Sequence, residues 1–489
     1  MRNYSRMALW AIPYVVVTMG FTLDFIKLKE FEKTLNIPPI ELLKLDNKFR
    51  DRVWLMEETL VARGIMLPSR SRFNRLLHKV LNGKEITMVA IGGSNTAGGV
   101  LGRDENSMEG LYMNVFAKWW KRAITPLSGS QINVYNLGIS GVGSYFCAFC
   151  FETFLPEGKA IDIVLIEQAV NYRRSRKQPS RPLEVLIRRV LSLNPTPLAA
   201  LVNFVPSLGK LRNFHCKNLE DFGANSVAMH YGITSFSLKP ILCRPNKRGD
   251  YEVRKDLVAI PGVVASDGAH VGVIAHAQTG LMMINTVRSV FLSRLEHPPR
   301  KPDTFPSTAI PPPLYPIKPT EILHNPQCWL GPTPNGCVDM QRPSLLMTVQ
   351  NSNAFKFHKL LNKLPLLCNG RERTDKHAGW GGWGDKAYIS FSITVKPWKC
   401  TACQDRSRSV IIIIRNWGNG GRALVWLDDD VESARDITNA HEFGTLLYTV
   451  SGRVRPGNHT LHVQTVRKGF FVVSGVTIGP PDFSKYGVM

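Results

Sequence analysis

Val89–Gly99 reads VAIGGSNTAGG: an apolar strand that ends abruptly in two glycines, a serine and further small residues. A parallel sheet gathers its chemistry at the carboxyl ends of its strands, and Ser94 falls at such an end. The glycines let the backbone turn sharply and let another group approach it closely. The Lys-Ser/Thr ending of a Walker phosphate loop is missing, as is the three-glycine dinucleotide spacing. Thr96 stands where the second glycine of a G-x-S-x-G elbow belongs, which disfavours the α/β-hydrolase arrangement. The stretch therefore reads as a strand-end turn that leaves the Ser94 hydroxyl uncovered.

Around this turn, short apolar runs alternate with mixed segments. EITMVAIGG, INVYNLG, IDIVLIEQAV, PLAALVNFVP and ITSFSL read as strands, and HVGVIAHAQTGLMMINTVRSVFLSRL as the last helix. That alternation predicts an α/β domain over residues 84–296, its parallel sheet flanked by helices on both faces. Residues 25–83 carry apolar side chains at helical spacing and predict a helical stem, or helices packed on the next domain. Residues 297–325 are proline-rich and predict a stiff, extended linker. KAYISFSITV, SVIIIIRNW, RALVWLDDD, TLLYTVSG, HTLHVQTV and FFVVSGVTI follow, separated by turn residues. They predict a C-terminal antiparallel β-sandwich or jelly roll over residues 326–489.

The chain has 489 residues, of which 44% are hydrophobic and 20% charged, so most of it is globular. Lys plus Arg number 61 against 38 Asp plus Glu, a net charge of +23 that favours anionic partners. No helix-turn-helix, zinc-finger or aromatic RNA-binding signature accompanies that charge, so nucleic acid is the weaker partner class. Met7–Leu23 is a run of 17 uncharged residues behind Arg2 and Arg6. It reads as a signal anchor or signal peptide over residues 1–24, with a single-pass, lumenal or secreted disposition of the rest. Asn458, in NHT, is a glycosylation acceptor triplet. Nine cysteines are too sparse for a disulfide scaffold. Cys147 and Cys150 read as buried inert thiols. Cys328/Cys337 and Cys400/Cys403 read as disulfide pairs if the chain is secreted. No metal site is persuasive.

A serine is a poor nucleophile without a base. SDGAHVGVIAH supplies Asp267 and His270, three apart, directly before the last helix. One turn of backbone can aim both side chains the same way, so that Asp267 accepts from one ring nitrogen while the other faces Ser94. An oxyanion also needs donors. Gly138, in YNLGISGVGS, and Asn171, in EQAVNY, follow the second and third strands.

Together these four pieces, in this order, resemble the SGNH (GDSL-type) hydrolase superfamily over about residues 84–295. GGSNTAG is similar to its nucleophile motif, NLGISGVGS to its glycine motif, EQAVNY to its asparagine motif and DGAH to its last motif. The resemblance implies a flavodoxin-like three-layer domain. It also implies Ser94, Asp267 and His270 as catalytic groups and Ser94, Gly138 and Asn171 as oxyanion donors, with no cofactor. Two departures stand out: Gly93 replaces the family's usual Asp before the serine, and Tyr172 the Asp that commonly follows the asparagine. The implied chemistry is acyl transfer through an acyl-serine. Water as acceptor gives an esterase acting on an acylated glycan; a sugar hydroxyl gives an O-acyltransferase. A catalytically dead glycan-binding protein and a basic nucleic-acid protein are the rival readings. A glycosidase is disfavoured, since no paired carboxylates present themselves.

Further residues bear on substrate. Asn171–Arg189 carries seven Arg/Lys against one Glu, and Arg173 and Arg174 would rim the site. Trp380 and Trp383, set among glycines in GWGGWGD, are candidates for stacking on sugar. Trp426, alternating with apolar neighbours, reads as core. His276 reads as a packed helix residue and Asp428–Asp430 as a solvated turn rather than a calcium site.

Overall fold

The computed structural model describes residues 25–39, 43, 58–98, 101, 107–172, 179–205, 216–247, 251–297, 309–316, 326–331, 347–358, 378–397, 407–415, 420–438, 444–466, 469–481 and 483. Six strands form the first sheet: β1 (Ile65–Met66), β2 (Ile86–Gly92), β3 (Ile132–Asn136), β4 (Ile163–Glu167), β5 (Leu198–Asn203) and β6 (Thr234–Ser237). Their spatial order is β1-β6-β5-β4-β2-β3. All pairs are parallel except β1 with β6. Every residue of β2, β4, β5 and β6 is buried, as expected of parallel strands covered on both faces. Met88 and Ala90 point into one apolar core and Val89 and Ile91 into the other, following the two-residue period of a strand.

The first core is roofed by α1 (Phe25–Asn36), α2 (Glu58–Arg63), α3 (Ser71–Leu81), α4 (Tyr112–Ala123) and the last helix of the domain, Val273–Glu296. The second is roofed by α5 (Ser144–Cys150), α6 (Arg181–Leu191) and α7 (Ala224–His230). The Val273–Glu296 helix is α8. A short hairpin of β7 (Cys243–Pro245) and β8 (Tyr251–Val253) follows β6. Instead of forming a detached stem, the described part of residues 25–83 joins the domain. Phe31, Leu35, Val61 and Phe73 are buried in the first core, and β1 extends the sheet.

The sandwich has two antiparallel sheets. One is ordered β10 (Thr348–Asn353), β13 (Tyr388–Val395), β18 (Gly457–Thr465), β15 (Arg422–Leu427), β16 (Arg435–Thr438). The other is ordered β11 (Phe355–His358), β12 (Gly379–Trp383), β19 (Phe470–Gly479), β14 (Arg408–Arg415), β17 (Thr445–Val454), with β9 (Gln327–Leu330) also on β19. The IIII run of β14 reflects burial on both faces. Val410, Ile412 and Ile414 fill the sandwich core, while Ile411 and Ile413 join the core beneath α5.

Three further ties lock the domains together. Cys150, at the end of α5, is disulfide-bonded to Cys328 of β9. Phe149 packs on Phe483 with ring centroids 4.8 Å apart. The linker residues 309–316 lie along α6, where the buried Glu184 carboxylate accepts from the amides of Leu314 (2.5 Å) and Tyr315 (3.0 Å). The Cys150–Cys328 bond overturns two expectations: Cys150 is not an inert thiol, and Cys328 does not pair with Cys337. Local spacing could not reveal it, because its halves come from different domains. Cys216–Cys243 is a second, unexpected disulfide, and Cys147 is a buried thiol. Residues 1–24, Cys337, Cys400 and Cys403 lie outside the described residues. Among those described, no helix is long and apolar enough to cross a membrane.

Candidate active site

β2 ends at Gly92, and the chain turns through Gly93–Gly98. Within Ile91–Gly98 every residue is buried except Ser94, which is partly exposed. The turn is fastened from below. The Gly93 N–H and the Thr96 hydroxyl each donate to Glu167 Oε2, at 3.2 Å, from the end of the neighbouring β4. Glu167 is fully buried, and burial pushes its carboxyl up to about 7 against the opposing pull of the Gly93 amide and the Thr96 hydroxyl. Its other oxygen, Oε1, has no protein partner among the described residues.

His270 Nε2 lies 2.7 Å from Ser94 Oγ across 176 positions of sequence. Its other nitrogen, Nδ1, lies 2.5 Å from Asp267 Oδ2. Asp267 is oriented by its own turn: Oδ1 accepts from the amides of Ala269 (2.9 Å) and His270 (3.0 Å). Burial pushes its carboxyl up, but those amides and the His270 ring outweigh this and hold it below the ordinary carboxylate range. Gly268, at φ +66°, closes the turn, where a side chain would be strained. Asn95 joins the two turns, accepting from the Val271 amide at 3.3 Å. Sequence reasoning missed Asn95 and Glu167, which look locally like turn and strand residues.

The expected oxyanion donors part company. Asn171 packs against the serine turn so closely that a Cβ on Gly93 would sit 1.8 Å from its Nδ2. That Nδ2 is buried with no hydrogen-bond partner among the described residues. The absence of a side chain at Gly93 thus makes room for the amide. Gly138 also touches the turn, as its Cβ would fall 2.5 Å from the Ala97 nitrogen. Its N–H, however, donates to Asn136 Oδ1 at 2.9 Å, while Asn136 Nδ2 donates to the Thr96 carbonyl at 2.7 Å. Gly138 is therefore a packing residue whose donor is already engaged. Gly141, in the same loop at φ +73°, makes no hydrogen bond through its N–H among the described residues.

The remaining expected residues are spread out. Arg173 and Arg174 lie outside the described residues. Tyr172 packs on Phe222 at 5.3 Å. Trp380 is half-buried against Phe357 and Phe391, so it belongs largely to the sandwich core rather than to a sugar platform. Trp383 is 60% exposed and leans on Phe470. Trp426 is buried. His276 is buried, stacked on Tyr112, and desolvation pulls its ring down to about 3. The Asp428 carboxylate is bonded to His459 (2.7 Å) and the Thr460 amide (2.9 Å). No cluster of metal-ligating side chains exists among the described residues.

No family model and no curated protein matches the sequence. Solved structures do resemble the fold. One is a two-domain esterase active on acetylated mannans, 17% identical, with a TM-score of 0.52 over 86% of this chain and 98% of its own. Another is such an esterase co-crystallised with mannopentaose, 18% identical, with a TM-score of 0.54 over 86% and 99%. At that identity the likeness is one of fold, and it extends through both domains of this chain.

Proposed function

We propose that this protein is a serine esterase of SGNH type that removes acetyl groups from a polysaccharide. The observation that carries this reading is the Ser94–His270–Asp267 relay, contiguous at 2.7 and 2.5 Å. His270 Nε2 takes the proton as Ser94 Oγ bonds to the ester carbonyl carbon. The carbonyl electrons move onto oxygen, and the oxyanion is met by the Ser94 amide, Asn171 Nδ2 and the Gly141 amide. Asp267 holds the ring in the tautomer that accepts from Ser94 and stabilises the imidazolium that forms. Collapse expels the sugar alkoxide, which takes the proton from His270. Water then gives a proton to His270 and attacks the acyl-serine, and the second tetrahedral intermediate collapses, releasing acetic acid while Ser94 Oγ takes the proton back from His270.

The glycan as substrate is supported by the two-domain fold likeness and by Trp383, an exposed ring on the sandwich that can stack on a sugar face. The two disulfides support a lumenal or extracellular site of action. The experiment is to offer the purified chain acetylated mannan, acetylated xylan and 4-nitrophenyl acetate and to measure acetate. Release that vanishes in Ser94→Ala supports the reading; no release and no serine adduct rejects it. O-acyl transfer to a sugar shares every step up to the acyl-serine, and acetylated oligosaccharide in place of acetate would be its signature.

A further inference from the structure

The Gly138–Gly143 loop lies between two bodies. Toward the α/β domain, Gly138 packs on Thr96 and Ala97, and a Cβ on Gly143 would lie 3.2 Å from the Asn171 carbonyl. Toward the sandwich, the loop meets Arg415, the last residue of β14, which is 2% exposed. Its Nη2 donates to the Ser140 carbonyl, and its Nη1 donates to the Gly141 carbonyl and to the Thr445 hydroxyl. Thr445, paired with Arg415 across β14 and β17, adds its own amide to the Gly141 carbonyl at 2.9 Å. Two successive carbonyls of the loop are thus held from the other domain, some 275 positions away in sequence.

A trans peptide is planar, with its N–H opposed to its C=O. Fixing the Ser140 carbonyl on Arg415 therefore directs the N–H of the same peptide unit, that of Gly141, away from the sandwich. A buried guanidinium fits this task, since its donors diverge in a fixed fork. We infer that the sandwich domain is a working part of the esterase site: Arg415 is a positioning residue that aims the Gly141 amide at the oxyanion. This rests on the esterase reading above.

The test uses the full chain and 4-nitrophenyl acetate, which has no sugar for the sandwich to bind. Arg415→Ala is expected to lower kcat about 10²-fold, the loss typical of one oxyanion donor, with KM little changed. Low-millimolar guanidinium should restore much of that rate, which a merely structural role would not allow. Thr445→Ala, which leaves the strand pairing intact, should lower kcat about tenfold through a loosened guanidinium. A folded Arg415→Ala with wild-type kcat, or one whose loss lies in KM and ignores guanidinium, overturns the inference. If Arg415→Ala does not fold, Thr445→Ala decides, and wild-type kcat there overturns it. A wild-type protein with no hydrolysis and no reactive serine overturns the esterase reading instead.

Discussion

Two turns flank the serine turn and are held by opposite means. Ala265–Val271 is tied within itself. Asp267 accepts from the amides of Ala269 and His270, the Ala265 amide donates to the His270 carbonyl, and Gly268 supplies the left-handed residue. Gly138–Gly143 makes its outer bonds to Arg415 and Thr445 of another domain and runs into α5, which Cys150–Cys328 fastens to the sandwich. The first turn needs only its neighbours to keep its shape. The second is bonded to both domains, through the Ile139 amide to the Gly92 carbonyl and through its own Ser140 and Gly141 carbonyls to Arg415 and Thr445. A change at the seam should therefore reach the oxyanion side of the site while leaving the His270 side in place.

The largest effect should come from the self-contained turn. Asp267→Ala removes the group that orients His270 together with two of the bonds that hold its turn, and kcat on 4-nitrophenyl acetate should fall by about 10⁴. Gly93→Ala comes next. Its methyl must displace the flexible end of Asn171 and not backbone, so activity should fall about 10²–10³-fold while thermal stability barely moves. Equal losses of both would mean that Asn171 is a structural prop. Replacing Cys150 and Cys328 together by Ala should lower unfolding free energy by about 2–5 kcal/mol in denaturant titration. The same variant should lower kcat more than Cys216→Ala/Cys243→Ala does, because only the first pair holds α5. Equal kcat in the two variants would break the contrast drawn between the turns.

Glu167 offers a subtler comparison, since it lies under the serine turn and bonds to Gly93 and Thr96. Its carboxyl is raised in the fold, so the unfolded chain binds fewer protons between about 4.5 and 7. Its contribution to stability is full below pH 4.5 and is lost as pH rises through about 7. Glu167→Gln should flatten that part of the stability–pH curve, as read by denaturation at several pH values. Smallest of all, Trp383→Ala should raise KM several-fold for an acetylated polymer, in line with about 1 kcal/mol for an aromatic contact. It should leave 4-nitrophenyl acetate kinetics alone.

Legibility in the sequence follows the same division. The meeting of Ser94, His270 and Asp267 is legible because strand-end turns and a three-residue spacing are local properties. The five parallel strands were readable because continuous apolar runs mark a sheet covered on both faces. Arg415, by contrast, ends a strand and looks like any strand-end cation. Glu184 looks like a helix-surface acid, yet it is buried under the linker. The isoleucine run of β14 announced burial without saying that a second domain supplied half of it. Gly138 reads as an oxyanion donor because it is a loop glycine directly after the second strand. The hydrogen bond to Asn136 that engages its N–H depends on how the loop folds back on β3.

The most direct test is a fluorophosphonate adduct read by intact mass and peptide mapping. The wild-type chain should gain one phosphonyl group, mapped to Ser94. Ser94→Ala should gain none, and His270→Ala should label far more slowly. Labelling that persists in Ser94→Ala, or a wild-type chain that stays unmodified, would contradict the claim that His270 activates Ser94 as a nucleophile.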